Sequence, residues 1–355
     1  MNSLSTERST FLALLDRLLV TSSPGGHEDG IDAVLVAEIE ALGLVPERDP
    51  AGNLLCTVAG SSPEAVCLAA HKDEIGMIVK RLEDDGRMRV EPLGGCTPWK
   101  LGEGPVEILT DDASVEAVLS FGCTHVSEET KAVHQAKTQA LNWESVRVDA
   151  KRPRGELTRL GVHVGSRVAV HRMRKKPLHL GGYVCSYALD DKGALTILLT
   201  VLQEVSQAAQ PPSRTVHFAA TSEEELGAAS GAFALRYTGS DALIALEVGP
   251  VEKEYDTVND HRPILWYKDS CHTYSRTLSD SLCRLAGELG FGAQRACYSS
   301  AGTDASAARK YGWAGTIACV GFPTDNTHGY EIANVEGMLN TARLLSKYLS
   351  GTQAS

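Results

Sequence analysis

Six acid or imidazole residues of this 355-residue chain, His71, Asp190, Glu224, Glu225, Glu247 and His328, stand at or shortly beyond the end of apolar runs. Imidazole nitrogens and carboxylate oxygens without a thiolate suit Zn²⁺, Co²⁺ or Mn²⁺, and this many donors matches two divalent cations per chain. The flanking residues sharpen the chemistry. His71-Lys72-Asp73 sets a carboxylate two residues past an imidazole, where it can accept the second ring N–H and fix tautomer and orientation. Asp190-Asp191 pairs two carboxylates between an apolar run and a helix, an arrangement costly to bury without a cation. Asp191 has two open readings, an N-cap or a residue behind the ligands. In Glu223-Glu224-Glu225, adjacent carboxylates with different neighbours can divide labour, one coordinating and one taking a proton from an attacking water. H-x-D and an acidic first helical turn are weak signals singly; a folded core has no use for all of these groups at one edge.

The elements that must bring them together are short Val/Ile/Leu/Ala/Cys runs at 65–70, 182–189, 215–221, 242–246 and 316–321. Such runs, with helical stretches between them, read as strands buried on both faces of a mostly parallel α/β sheet, whose chemistry gathers at the carboxyl edge. Helical periodicity is expected at 6–21, from Glu28 to Leu42, and at 192–206, 225–237, 275–290, 303–312 and 334–349. Between about 79 and 171 the texture changes to short strand-like pieces separated by Gly, Pro and Asp turns, as in a small β-barrel or sandwich. The expected organisation is a catalytic α/β domain of residues 1–78 and 172–355, interrupted by an inserted β-domain, 79–171.

Composition removes other classes. The 34 basic against 45 acidic residues give −11, which argues against nucleic acid as a partner. No run approaches the ~18–20 apolar residues of a membrane span. Nine cysteines without a C-x-x-C pair, most in apolar runs, read as reduced thiols of a cytoplasmic protein. G-x-S-x-G, Walker, G-x-G-x-x-G and H-E-x-x-H patterns are all absent from the sequence.

At Ser23-Pro-Gly-Gly-His-Glu28, Ala70-His-Lys-Asp-Glu-Ile-Gly76, Ala188-Leu-Asp-Asp-Lys192, Thr221-Ser-Glu-Glu-Glu-Leu-Gly227, Gly302-Thr-Asp-Ala305 and His328, the chain resembles the deblocking or glutamyl aminopeptidases. These are dinuclear metallopeptidases that build tetrahedral dodecamers and also carry the name endoglucanase M. The resemblance implies a zinc-peptidase fold, peptide substrates with a free N-terminus, and a homo-oligomer in which the β-insert serves subunit contacts and covers the active site. It implies Asp190 as a bridge, His71 and Glu247 on one metal, Glu225 and His328 on the other, Glu224 as general base and Asp73 orienting His71. Two positions depart from the usual pattern. Glu247 stands where Asp is usual, and its extra methylene moves the oxygen by more than ~1 Å; Lys72 stands where an apolar residue is usual. Two further readings of the same residues are a metal-dependent deacylase or carboxypeptidase, and a metal-stabilised oligomer without catalysis.

Overall fold

The apolar runs pair side by side because each can bury both faces. In the computed structural model, which describes residues 2–111, 113–127, 140–227 and 229–351, they form the centre of an eleven-stranded mixed sheet among the described residues. Arg214–Thr221, Ser62–His71, Ala242–Pro250 and Thr316–Asp325 lie in that order, all parallel. Alternate residues serve opposite layers: Val66, Leu68 and Ala70 join a core under the helices Asn2–Leu19, Asp29–Ala41, Leu189–Ser206 and Val335–Ser350. Cys67 and Ala69 join a second core with residues of Ser230–Thr238 and Asp304–Lys310 on the other face. The α/β architecture expected from the sequence is therefore present, with antiparallel strands added at the margins of the parallel centre.

Register brings the functional residues level. Thr221 pairs with His71 where their strands end, and the Ala245–Ala69 pair sets Glu247 level with them inside a strand that runs on to Pro250. Asp190 arrives differently from expectation. The run 182–189 is a strand only over Tyr183–Ser186, which pairs antiparallel with Glu331–Asn334, itself antiparallel to Thr316–Asp325. Two reversals restore the original direction, so the Tyr183–Ser186 strand still leads its chain to the same edge. There Ala188 takes a left-handed conformation and Asp190 and Asp191 depart from helical angles inside Leu189–Ser206, with a cis peptide between them.

The helix expected at 225–237 is also broken, into a 3₁₀ turn Glu224–Leu226 and the helix Ser230–Thr238. Glu223 at φ 53° and Gly227 at φ 145° bound the turn; both angles are incompatible with helix continuation. The inserted β-region closes into a six-stranded antiparallel barrel of Gly76–Leu82, Met88–Leu93, Gly104–Leu109, Ser114–Ser120, Arg147–Asp149 and Arg167–Val170. Its interior is a separate apolar core around Met77, Val106, Val148 and Val168.

Candidate active site

Two donor groups meet at the sheet edge and share one residue. His71, Asp190, Asp191 and Glu247 form the first, and Asp190, Glu225 and His328 the second, with donor atoms in each group within 4.8 Å of one another. Asp190 divides its carboxylate between them: Oδ1 lies 3.0 Å from His71 Nε2, and Oδ2 lies 3.4 Å from His328 Nε2. Glu225 Oε1 is 3.6 Å from the same His328 nitrogen. Glu247 keeps its place in the first group despite the longer side chain.

The structure decides the two readings of Asp191 against the cap. Its side chain makes no helix-capping bond: Oδ2 accepts the backbone N–H of His71 at 3.2 Å, while the buried Oδ1 has no hydrogen-bond partner. Asp73 does more than meet His71. Its Oδ1 stands 3.3 Å from His71 Nδ1, and its two oxygens accept the backbone N–H groups of Glu224 and Glu225 at 2.9 and 3.1 Å. One carboxylate thus fixes an imidazole and the turn carrying both glutamates. Glu224 belongs to neither donor group, and its carboxylate makes no hydrogen bond among the described residues, although it lines the same cleft.

Glu331 escaped notice in the sequence. Its Oε2 accepts the N–H of Asp190 at 3.0 Å and its Oε1 that of His328 at 2.9 Å, tying together the backbones of two metal-ligand candidates. The link to Asp190 spans 141 residues, so no local spacing announces it. Glu74 is a second such residue: wholly buried, it binds Lys175 and Lys192 and joins the barrel side of the molecule to the helix that follows Asp190.

The M42 glutamyl aminopeptidase family model matches residues 52–344, a stretch containing every member of both donor groups. The chain belongs to the M42 glutamyl aminopeptidase family. Membership places it among hydrolases that act as aminopeptidases. This M42 chain is 26% identical to SgcX of Escherichia coli over 236 residues, covering 66% of its own length and 61%, less than two thirds, of SgcX. It is 24% identical to YhfE of Bacillus subtilis over 352 residues, 95% of this chain and 96% of that protein. The solved TET1 peptidase of Pyrococcus horikoshii shares its fold, with a TM-score of 0.84 at 20% identity over 96% of this chain and 100% of that one.

Electrostatics show what the M42 site demands. Burial, reinforced by neighbouring acids, pushes the carboxyls of Glu224, Glu247 and Asp191 well above the usual range and Glu225 up to about 7. Burial opposes charge on His71 and His328 too. Asp191, Asp190 and Asp73 nevertheless raise His71 well above the ordinary histidine value, and Glu225 and Asp190 raise His328 to about 11. Among the described residues, Asp190 and Glu225 form ion pairs with these two imidazoles alone. The donor set, the orphaned Asp191 oxygen and the crowding of acids all fit divalent cations. Since the raised histidines hold protons that a cation must displace, cation binding is expected to release protons and to strengthen as pH rises through neutrality. Calorimetric titration with Zn²⁺ in buffers of different ionisation enthalpy measures that release; an affinity independent of pH would contradict it.

A cleft of about 740 Å³ opens over both groups. Val248, Tyr255, Ala301 and Tyr311 give it an apolar wall, and the exposed Glu252 and Lys310 also line it. No helix among the described residues is long and apolar enough to cross a membrane.

Proposed function

We propose that this chain is a two-cation aminopeptidase that removes N-terminal residues from peptides. The observation that carries the reading is the pair of donor groups sharing Asp190, with Glu224 beside both and a member of neither. His71, Asp191 and Glu247 would hold one cation, Glu225 and His328 the other, with Asp190 between them. Asp191 enters as an addition to the set inferred from the resemblance. Bound there, the cations supply Lewis acidity for the scissile carbonyl and a water acidic enough to attack near neutral pH. Glu224 takes the proton of the attacking water and delivers it to the leaving amine. Asp73 holds the Glu224–Glu225 turn and the His71 ring in register for that transfer, and the apolar wall of the cleft receives the substrate side chain.

The test strips the full-length protein with a chelator, reloads it with Zn²⁺, Co²⁺ or Mn²⁺, and compares aminoacyl-p-nitroanilides with N-acetylated amino acids. Turnover should vanish on stripping, return with cation, and require a free amine. Equal cleavage of the acylated substrates would favour a deacylase instead, and undiminished turnover without cation would remove the mechanism.

The family's assemblies bear on the quaternary state. Pyrococcus horikoshii TET1 can assemble into a tetrahedron or a large octahedral shell, and PhTET1-12s is a dodecamer. We extend self-assembly to this chain, with the barrel as a contact region, because Trp99, Leu160, Val164 and Met173 of the insert or its margin are exposed. The sheet-edge residues Leu178 and Leu180 are exposed as well. Light scattering coupled to size separation should show a large homo-oligomer; a monomer at micromolar concentration would refute it. We place the protein in the cytoplasm, a reading supported by nine unpaired thiols.

A further inference from the structure

Four consecutive backbone amides before and within the Glu224 turn donate to side-chain oxygens. Ser222 N–H donates to Asn53 Oδ1 at 2.9 Å, Glu223 N–H to Glu28 Oε1 at 3.1 Å, and the Glu224 and Glu225 amides to Asp73. Glu28 and Gly52, the residue before Asn53, both meet one cation, Lys72. Its fully buried ammonium donates to Asp32 Oδ1 at 2.6 Å and to the Gly52 carbonyl at 2.8 Å, and stands 3.4 Å from Glu28 Oε2. The ammonium thus makes two hydrogen bonds and one further ion pair.

The two branches lead to the same place. Gly52 precedes Asn53, so the Lys72 bond to its carbonyl pins the residue that captures Ser222. Glu28 captures Glu223, whose left-handed φ of 53° turns the chain into Glu224. Asp32 also has Arg48 on its other oxygen at 2.6 Å, whereas Lys72 is the one cation paired with Glu28 among the described residues. Removing the ammonium would leave a buried carboxylate without a counter-charge at the point where it holds the turn.

We infer that Lys72 is a positioning residue for the general base, fixing the Ser222–Glu223 backbone through Gly52–Asn53 and Glu28 and thereby the stance of Glu224 over the two donor groups. The kinetic part of this inference rests on Glu224 acting as the base; the structural part does not. It also gives Lys72, which departs from the apolar residue suggested by the family resemblance, a defined task.

The test uses the full-length Mn²⁺-loaded protein and compares wild type with Lys72→Met and the double variant Lys72→Met/Glu28→Gln. It reads deuterium uptake in a peptide covering 222–225, kcat and KM on an aminoacyl-p-nitroanilide, and bound manganese. Lys72→Met should speed exchange about tenfold and lower kcat about a hundredfold, with KM and manganese content nearly unchanged. The double variant should recover most of both losses, since a neutral amide still offers Glu223 an oxygen and needs no counter-charge. Wild-type exchange at 222–225 in Lys72→Met overturns the inference, as does a fall in kcat that only tracks lost manganese. Faster exchange with unchanged kcat overturns it too, provided Glu224→Gln is inactive; an active Glu224→Gln instead strikes the base assignment while the exchange result stands. Should Lys72→Met not fold, Lys72→Gln carries the same readouts: faster exchange with lower kcat supports the inference, and unchanged exchange ends it.

Discussion

Replacing Glu224 by Gln is expected to lower kcat by about 10²–10⁴-fold, the range of a positioned general base, while leaving both cations bound. The two halves of that result come from different observations. Glu224 is outside both donor groups, so the amide should not disturb cation content. Its backbone N–H is held by Asp73, so the turn should keep its shape when only the side-chain charge changes. Burial, with Glu247 next, pushes its carboxyl upward, which gives the carboxylate a strong affinity for a proton. Bound cations oppose that shift and favour the ionised form that can accept one. The same substitution one residue along should read differently. Glu225→Gln removes a member of the second donor group and should lose cation there before it loses anything else. Metal analysis and steady-state kinetics on both variants check the division of labour. Wild-type turnover in Glu224→Gln would sink the base assignment, and cation loss in that variant would make Glu224 a ligand.

Much of this site was legible because its residues sit directly against strongly apolar runs, and two-sided burial leaves such runs few places to go. His71 ends one central parallel strand, Glu247 lies within another, and Glu224 and Glu225 follow a third; register sets their level, and their common edge follows from that class of sheet. Asp190 reached the same edge by another route. Apolar character alone does not separate a strand of four residues from one of eight, so the left-handed turn at Ala188 and the antiparallel pairing of Tyr183–Ser186 were hidden. Asp191 was ambiguous for a related reason. An acid at a helix start is equally suited to capping and to a place behind the ligands until its partners are known, and here the partner is the His71 N–H, across 120 residues. Glu331, Glu28 and Asp32 act by long-range bonds to backbone or to Lys72, and such bonds have no periodicity to read. The helix expected from 225 stops at Gly227, whose φ of 145° no helix continues through.

Replacing Asp190 by Asn should be the most damaging change to cation binding, greater than any single substitution at His71, Glu225, Glu247 or His328. Each of those residues serves one donor group; Asp190 serves both. Its oxygens face opposite ways, toward His71 and toward His328, and Asn retains only one of them without charge. Burial opposes ionisation of Asp190, yet hydrogen bonds from His328 and His71 hold its carboxyl well below the usual range. The expected loss at both positions exceeds the roughly 10–100-fold that removal of an outer partner of a metal ligand costs. Glu247→Gln, by contrast, should weaken one position and spare the other. Plasma mass spectrometry of the two variants after equilibration with limiting Zn²⁺ gives the comparison, with circular dichroism to show that both fold. Should Asp190→Asn keep one cation at full occupancy while Glu247→Gln loses both, Asp190 is not the residue that joins the two halves of the site.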